Sequence, residues 1–134
     1  MTLVLDASAA VEYLLKTAQG AQVALLVEKA NLIAPELLDV EVLAVLRKEA
    51  LAHRLSARRA EEAIEDLRDW PIHRLPHRPL LERAWSLRAN TSAYDALYVA
   101  AAIEHGAALV TADGPLSRAP LRGVVVHNIG APLL

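Results

Sequence analysis

The sequence predicts an α/β fold in which a mainly parallel sheet is covered by helices on both faces. First, short apolar runs of strand length alternate with longer segments of helical pattern, which is typical of sheets built from β–α–β units. Second, these runs are short and apolar, as strands buried on both faces are. Third, 134 residues that are 54% hydrophobic and 22% charged suffice for one domain with a buried core and exclude a disordered chain.

The first half of the chain is predicted to hold two strands and four helices. The apolar run 2–5 is the first strand, and Ser8 is expected to cap a helix over 9–18. Gly20 is expected to end that helix, because glycine is a poor helix former. The remaining elements predicted in this half are a short helix at 21–29, a strand at 32–34, a helix at 36–52 that Pro35 begins, and a helix from Ser56 to about Trp70.

The second half is predicted to complete the sheet. Ser92 suits the start of a strongly apolar helix over 93–105, and Gly106 suits its end. Asp113-Gly114-Pro115 has the composition of a turn. The other predicted elements are a brief strand at 72–75, a helix at 79–89, and strands at 108–111 and 124–126. No internal repeat interrupts this order, so residues 1–134 are expected to form a single domain.

The composition excludes several classes of protein and site. The chain has no cysteine, which excludes disulfides and thiolate-bound zinc. It has no apolar stretch of about 18 residues, and its N-terminus lacks the basic and long apolar regions of a signal peptide. We therefore expect no membrane partner and a cytoplasmic location. The net charge of −2 does not indicate a particular polymer as a partner. Residues 47–88 carry ten basic against seven acidic side chains, however, so a negatively charged polymer remains possible as a partner of this segment.

Four acidic residues lie where a carboxylate needs an explanation. Asp6 follows the first strand and Asp113 follows the strand at 108–111, and each alone is explained by a helix cap or a turn. Asp95 lies in the first turn of an apolar helix, where the helix dipole and a capping role also explain it. Glu41 lies in the apolar stripe of its helix, so it either is buried and then paired, metal-bound or protonated, or extends to solvent at a helix end.

Taken together, the acids predict a metal site. Asp6, Asp95 and Asp113 are all expected at the carboxyl edge of the sheet, because strand C-termini and helix N-termini meet there. Carboxylates crowded at one edge repel one another unless some are protonated or a cation is bound. Without cysteine or paired histidines, the suitable cation is a hard ion, Mg²⁺ or Mn²⁺. Such a site suits metal-assisted hydrolysis of phosphodiesters.

Each of the four acids belongs to a distinctive segment of the sequence. The segments are Val4-Leu5-Asp6-Ala7-Ser8, Pro35-Glu36-Leu37-Leu38-x-x-Glu41-Val42, Ala93-Tyr94-Asp95-Ala96-Leu97-Tyr98-Val99-Ala100 and Leu109-Val110-Thr111-Ala112-Asp113. They resemble the four sequence blocks of the PIN domain, and their order, their spacing and the total length also match over nearly the whole chain. In particular, the sequence resembles the VapC toxins of bacterial and archaeal VapBC toxin–antitoxin pairs.

The resemblance implies a three-layer α/β/α sandwich with a central, mainly parallel sheet, and the activity of a Mg²⁺- or Mn²⁺-dependent endoribonuclease. Asp6, Glu41, Asp95 and Asp113 match the acidic quartet of the family. By this resemblance and by charge, the three aspartates are expected to hold the metal, directly or through water. Glu41 is expected to align or deprotonate the attacking water, and the products to be a 5′-phosphate and a 3′-hydroxyl.

The resemblance extends to supporting residues and to partners. Thr111 matches a hydroxyl residue that helps to orient the acids, and Ser8 is a further supporting residue. Residues 114–117 hold no acid, so the further acid that some relatives carry at this point has no counterpart here. The implied partners are an RNA substrate, a cognate VapB-like antitoxin usually encoded alongside, and a second copy of the chain in a homodimer.

Two other functions are compatible with a PIN domain. One is a nuclease that is not a toxin and acts in rRNA maturation or on DNA. The other is a non-catalytic PIN module that serves as an interaction scaffold, which would be expected to lose acids, whereas all four are present. Two other folds with acids at strand ends are excluded. A phosphoacceptor receiver domain needs a lysine near its last strand, and none follows Lys48, while a haloacid-dehalogenase-type phosphatase needs Asp-x-Asp where this chain has Asp6-Ala7-Ser8.

Overall fold

A computed structural model describes residues 1–119 and 121–130 of the chain, and its centre is a parallel β-sheet. The strands are β1 (Thr2–Leu5), β2 (Asn31–Pro35), β3 (His73–Leu75), β4 (Ala108–Thr111) and β5 (Val126–Asn128). Their order across the sheet is β3-β2-β1-β4-β5, and every neighbouring pair is parallel. The predicted parallel sheet is therefore confirmed, and all five strands end at the same edge.

Helices cover both faces of this sheet, as the three-layer sandwich requires. Side chains alternate between the two faces along a strand, yet Leu3, Val4 and Leu5 of the central strand are each at most 1% exposed. The helices in the described residues are α1 (Ala7–Leu14), α2 (Ala18–Val27), α3 (Leu37–Leu51), α4 (Ala57–Asp69), α5 (Leu81–Ser86), α6 (Ala93–Glu104) and α7 (Gly114–Arg118), with a 3₁₀ turn at Arg78–Leu80. None of these helices has the length and apolar character that crossing a bilayer requires.

The start of α1 differs from its prediction. Asp6, and not Ser8, is the residue that caps this helix, because its side chain accepts the backbone N–H of Ala9 at 3.0 Å. The helix begins at Ala7, immediately after β1. The carboxylate at the end of the central strand is thereby fixed by the helix that follows it.

The break between the first two helices also lies elsewhere than predicted. The chain leaves α1 near Lys16, which has a φ of 56°, and Thr17 caps α2 by accepting the N–H of Gly20 at 3.0 Å. Gly20 therefore lies inside α2. A Cβ atom at Gly20 would lie 2.1 Å from the backbone oxygen of Glu12 in α1. The glycine is needed for the close approach of the two helices, and it does not end either of them.

Several boundaries in the second half follow the prediction and others do not. Ser92 caps α6 by accepting the N–H of Asp95 at 3.1 Å, and Gly106 follows the helix with a φ of 58°, both as predicted. Asp113 does not form a plain turn, because its side chain accepts the N–H of Leu116 at 3.2 Å and begins the short α7. The last strand lies two residues later than predicted, at Val126–Asn128.

The apolar helix α6, which contains Asp95, is packed into the core. Its residues Tyr98–Ala102 are each at most 1% exposed, and the helix contacts β1, β2 and β4. This burial fixes the helix against the sheet with its N-terminus near the strand ends. Asp95, in the first turn, is thereby held close to the acids that follow β1 and β4.

Candidate active site

The four acids line a single pocket of about 330 Å³ at the C-terminal edge of the sheet. Asp6 follows β1, Asp113 lies two residues beyond β4, Asp95 is in the first turn of α6, and Glu41 is in α3. The structure therefore brings together all four residues singled out from the sequence. The other residues that line this acidic pocket are Ala7, Ser8, Ala44, Val45 and Tyr98.

Asp6 is the most enclosed of the four acids, since only 4% of it is exposed. Its Oδ1 accepts the hydroxyl of Ser8 at 2.7 Å and the backbone N–H of Ala9 at 3.0 Å. Its Oδ2 accepts the hydroxyl of Thr111. Three donors thus fix the orientation of this carboxylate, and hydrogen bonds of this kind favour its charged form.

The two hydroxyls that hold Asp6 are themselves oriented by the backbone after β4. The N–H of Ala112 donates to Ser8 Oγ at 2.9 Å, and the N–H of Asp113 donates to Thr111 Oγ1 at 2.9 Å. Each hydroxyl therefore accepts one hydrogen bond and has its own proton available for Asp6. The ends of two neighbouring strands are tied together through one carboxylate.

Burial, and to a smaller extent repulsion between carboxylates, opposes the ionisation of Asp6 and Asp95. Burial raises the pKa of Asp6 to about 6, although the hydrogen bonds from Thr111, Ala9 and Ser8 act in the opposite direction; the charge of Asp95 adds to the rise. Burial also raises the pKa of Asp95, and the nearby charge of Asp113 adds to this effect. The pocket consequently disfavours the charged forms of Asp6 and Asp95 when no cation compensates them, mainly through burial.

Glu41 is held from a neighbouring helix by Tyr98, whose hydroxyl donates to Glu41 Oε1 at 2.6 Å. The sequence pattern alone does not identify Tyr98 as a residue of the site. One signal was available: Tyr98 follows Asp95 by three positions in a predicted helix, so both side chains lie on the same helix face. Its partner is 57 positions away, and nothing in the local sequence indicates that pairing.

The donor set of the acidic pocket fits a hard divalent cation that retains water. Among residues 1–119 and 121–130, no three acidic or histidine side chains are arranged as a ready-made metal cage. Mg²⁺ does not need one, because it is usually bound through one or two carboxylates and keeps several waters. The described residues that line the pocket offer carboxylate and hydroxyl oxygens and include no basic side chain. A cation is therefore the suitable counter-charge, and oxygen ligands favour Mg²⁺ or Mn²⁺.

We expect Asp6→Asn to stabilise the metal-free protein at pH 7. The pKa of Asp6 in the fold, about 6, lies above its ordinary value of 3.8, so the stability linked to its protonation is complete below pH 3.8 and is lost as the pH rises through 6. Asparagine keeps the cap to Ala9 and carries no charge. Urea unfolding in chelator should show the variant more stable at pH 7, by up to about 3 kcal/mol, with the difference vanishing near pH 4.

A matched control for this experiment is Asp69→Asn, which removes an exposed carboxylate whose pKa is lowered by Arg68. That substitution should not stabilise the protein at any pH, because the folded state favours the charge it removes. If Asp6→Asn is instead clearly less stable than the wild type at pH 7, the charged carboxylate is a structural cap whose hydrogen bonds outweigh the cost of burying its charge.

Comparisons with known proteins give one consistent family. The sequence profile of the PIN domain matches residues 3–121. Ribonuclease VapC9 of Mycobacterium tuberculosis is 44% identical over 115 residues, which cover 86% of this chain and 88% of VapC9. A solved structure of VapBC2 from Rickettsia felis, bound to a DNA fragment from the VapBC2 promoter, superposes on this chain with a TM-score of 0.69 at 16% sequence identity. The superposition covers 96% of this chain and 98% of the other chain.

A second solved structure extends the comparison of folds. VapC20 of Mycobacterium tuberculosis, described as a toxin that cleaves the Sarcin-Ricin loop, superposes with a TM-score of 0.62 at 18% identity. The match covers 86% of this chain and 92% of VapC20. At these identities the two structures establish a shared fold, and the sequence profile and VapC9 establish the shared family.

Proposed function

We propose, on the premise that this chain belongs to the PIN-domain family and within it to the VapC ribonucleases, that it is an endoribonuclease and the toxin of a toxin–antitoxin pair. The observation that carries the proposal is the convergence of Asp6, Glu41, Asp95 and Asp113 on one pocket. A non-catalytic PIN module would have no need to keep four carboxylates in one pocket where the charges of Asp6 and Asp95 are disfavoured. We further propose that residues 1–134 act as a single PIN domain, which the continuous hydrophobic core supports.

We assign the acidic pocket to Mg²⁺ or Mn²⁺, with Asp6, Asp95 and Asp113 as the carboxylates that would hold the ion. When bound, the ion would polarise the phosphate and lower the pKa of a bound water. Asp6 contributes a carboxylate of fixed orientation, because donors from Ser8, Ala9 and Thr111 hold both of its oxygens. The crowding of Asp95 and Asp113 supplies the negative charge that draws a cation to this place.

Glu41 is proposed to align or deprotonate the attacking water, because its carboxylate lines the same pocket as the three aspartates. The water oxygen forms a bond to phosphorus, and the water proton passes to Glu41. The bond from phosphorus to the 3′ oxygen breaks, and that oxygen takes up a proton. The products are a 5′-phosphate and a 3′-hydroxyl.

The proposed activity is tested by the cleavage of single-stranded or loop RNA of defined sequence. We expect cleavage with Mg²⁺ or Mn²⁺ and none with an excess of chelator, because water activation depends on the ion. The ends of the fragments should be identified by mass spectrometry. Fragments that carry 2′,3′-cyclic phosphates would contradict the mechanism, since these ends require attack by the RNA's own 2′-hydroxyl and not by water.

A cognate antitoxin is proposed as the partner that restrains this activity in the cytoplasm. A groove of about 520 Å³ lies between α1, α2 and α4. Its apolar lining includes Tyr13, Leu14 and Trp70, and its polar lining residues are Lys16, Thr17, Asp66 and Asp69. Also on α2, Leu25 is 77% exposed. Such a surface suits aromatic or aliphatic anchors from another protein. The acidic pocket, whose described lining residues include no basic side chain, suits an arginine of the same partner.

We expect the small protein encoded next to this chain to form a tight complex with it and to block RNA cleavage. Inhibition follows if an arginine of the partner pairs with the carboxylates and displaces the metal. A pull-down followed by a cleavage assay of the purified complex measures both effects. A stable complex that cleaves RNA at the full rate would contradict this mode of inhibition.

The chain is also proposed to form a homodimer through helices of its N-terminal half. Val40, Leu43 and Leu51 on α3 are between 50% and 63% exposed, which is unusual for large apolar side chains on one helix. Sedimentation of the protein alone measures this association.

A further inference from the structure

A buried tyrosine reaches into the acidic pocket from the second turn of α6. Tyr98 is 1% exposed, and its hydroxyl donates to Glu41 Oε1 at 2.6 Å. Both residues line the pocket that also contains the three aspartates. The hydrogen bond therefore connects the core helix α6 to the one acid of the quartet that α3 supplies.

The environment keeps the phenol of Tyr98 in its protonated form. Burial raises its pKa far above the ordinary value, and the carboxylate of Glu41 adds to the rise. A protonated phenol has a single proton, and here that proton is directed at Glu41. The distance of 2.6 Å lies in the ordinary range of O–H···O hydrogen bonds. Tyr98 thus holds one carboxylate oxygen of Glu41 in a fixed place.

The carboxylates of Asp6 and Glu41 accept different numbers of hydrogen bonds from the protein. Asp6 accepts three hydrogen bonds, from Ser8, Ala9 and Thr111. In the described part of the chain, the carboxylate of Glu41 accepts one, from Tyr98. Glutamate has more rotatable bonds than aspartate, so loss of its one donor would release it into several orientations. Placement of a base within hydrogen-bond reach of water depends on such restraint.

We propose that Tyr98 is a positioning residue for RNA cleavage, whose phenol holds the Glu41 carboxylate at the wall of the acidic pocket to receive the proton of the attacking water. The inference rests on the proposed function, in which Glu41 aligns or deprotonates that water. The alternative is that Tyr98 only fills space in the core. Phenylalanine would preserve that role, because it keeps the ring and lacks the hydroxyl.

The first test compares Tyr98→Phe with the wild type and with Tyr94→Phe, a control that removes the hydroxyl of a tyrosine that is 61% exposed and does not line the acidic pocket. We expect Tyr98→Phe to lower kcat about 10- to 100-fold, as the loss of a residue that orients a catalytic group does. KM and the affinity for Mn²⁺, measured by calorimetry, should stay within about threefold because the three aspartates are unchanged. An unchanged kcat, or an equal loss of Mn²⁺ affinity, would overturn the proposal.

The second test asks whether the effect passes through Glu41. Glu41→Gln and the double variant with Tyr98→Phe complete a double-mutant cycle with the wild type. If Tyr98 acts by holding the base, removal of its hydroxyl should change kcat by less than about twofold once the base is gone. If the two losses multiply in full, Tyr98 acts independently of Glu41 and the proposal is wrong.

A third measurement separates this proposal from the proposed function. If the wild type cleaves no RNA with Mg²⁺ or Mn²⁺, the function fails, and a crystal structure of metal-free Tyr98→Phe still decides the positioning role. We expect the Glu41 carboxylate to leave its place while Asp6 keeps its three donors. A Glu41 side chain that stays in the same orientation without the phenol would overturn the proposal.

Discussion

Asp95→Asn should lower the rate of RNA cleavage by about 10³-fold or more, because metal binding and water positioning fail together when one carboxylate of the pocket is lost. The fold should survive, since the cap of α6 uses the backbone N–H of Asp95, which donates to Ser92 Oγ at 3.1 Å. The stabilisation of the protein by Mn²⁺ in thermal unfolding should shrink in parallel, because a ligand stabilises only where it binds.

The control for this comparison is Asp69→Asn, which removes an exposed acid that pairs with Arg68 on the surface. Its cleavage rate and its response to Mn²⁺ should equal those of the wild type. If Asp95→Asn retains the wild-type rate, the only role of Asp95 is to stabilise the N-terminus of α6. The acidic pocket would then be without one of its proposed metal ligands.

Gly20→Ala should destabilise the protein by about 3 kcal/mol or more, at the upper end of what overpacking costs. The added Cβ would lie 2.1 Å from the backbone oxygen and 2.7 Å from the backbone carbon of Glu12. Neither atom can move aside as a flexible side chain could, so α1 and α2 would have to separate. Urea unfolding measures the loss.

The matched control is Gly106→Ala, where a Cβ would meet no atom within 4 Å but the residue has a φ of 58°. Only the left-handed backbone opposes that change, at a cost of about 1 kcal/mol. Equal losses at Gly20 and Gly106 would show that α1 and α2 separate easily. The groove between them and α4 would then be adaptable instead of fixed.

The sheet could be predicted from the sequence because its determinants are local. A short apolar run identifies a strand buried on both faces, and alternation with helices makes parallel pairing the simplest arrangement. The role of Gly20 could not be predicted in this way. Whether a glycine ends a helix or admits a neighbouring helix depends on packing between segments, and the sequence pattern is the same in both cases. The sequence allows a helix cap at Asp6 but favours Ser8 at the start of the helix, and the structure shows that Asp6 is the cap.

In the candidate site, too, only the features with local determinants could be predicted. Asp6, Asp95 and Asp113 could be placed at one edge because each belongs to a strand end or a helix start, and these ends coincide in a parallel sheet. The hydrogen bonds that orient the site could not be predicted. They join Thr111 to Asp6 across 105 positions and Tyr98 to Glu41 across 57, and only the folded chain brings such pairs together.

The carboxylate at the end of β1 has a consequence for how a copy of this gene could lose its activity during evolution. Asp6 both caps α1 and belongs to the acidic pocket, so selection for folding and selection for cleavage act on the same atoms. When selection for cleavage ends, selection for the helix cap at position 6 continues. Asparagine or serine preserves that cap, whereas alanine does not. Inactive descendants of this gene are therefore expected to retain a small polar residue at this position.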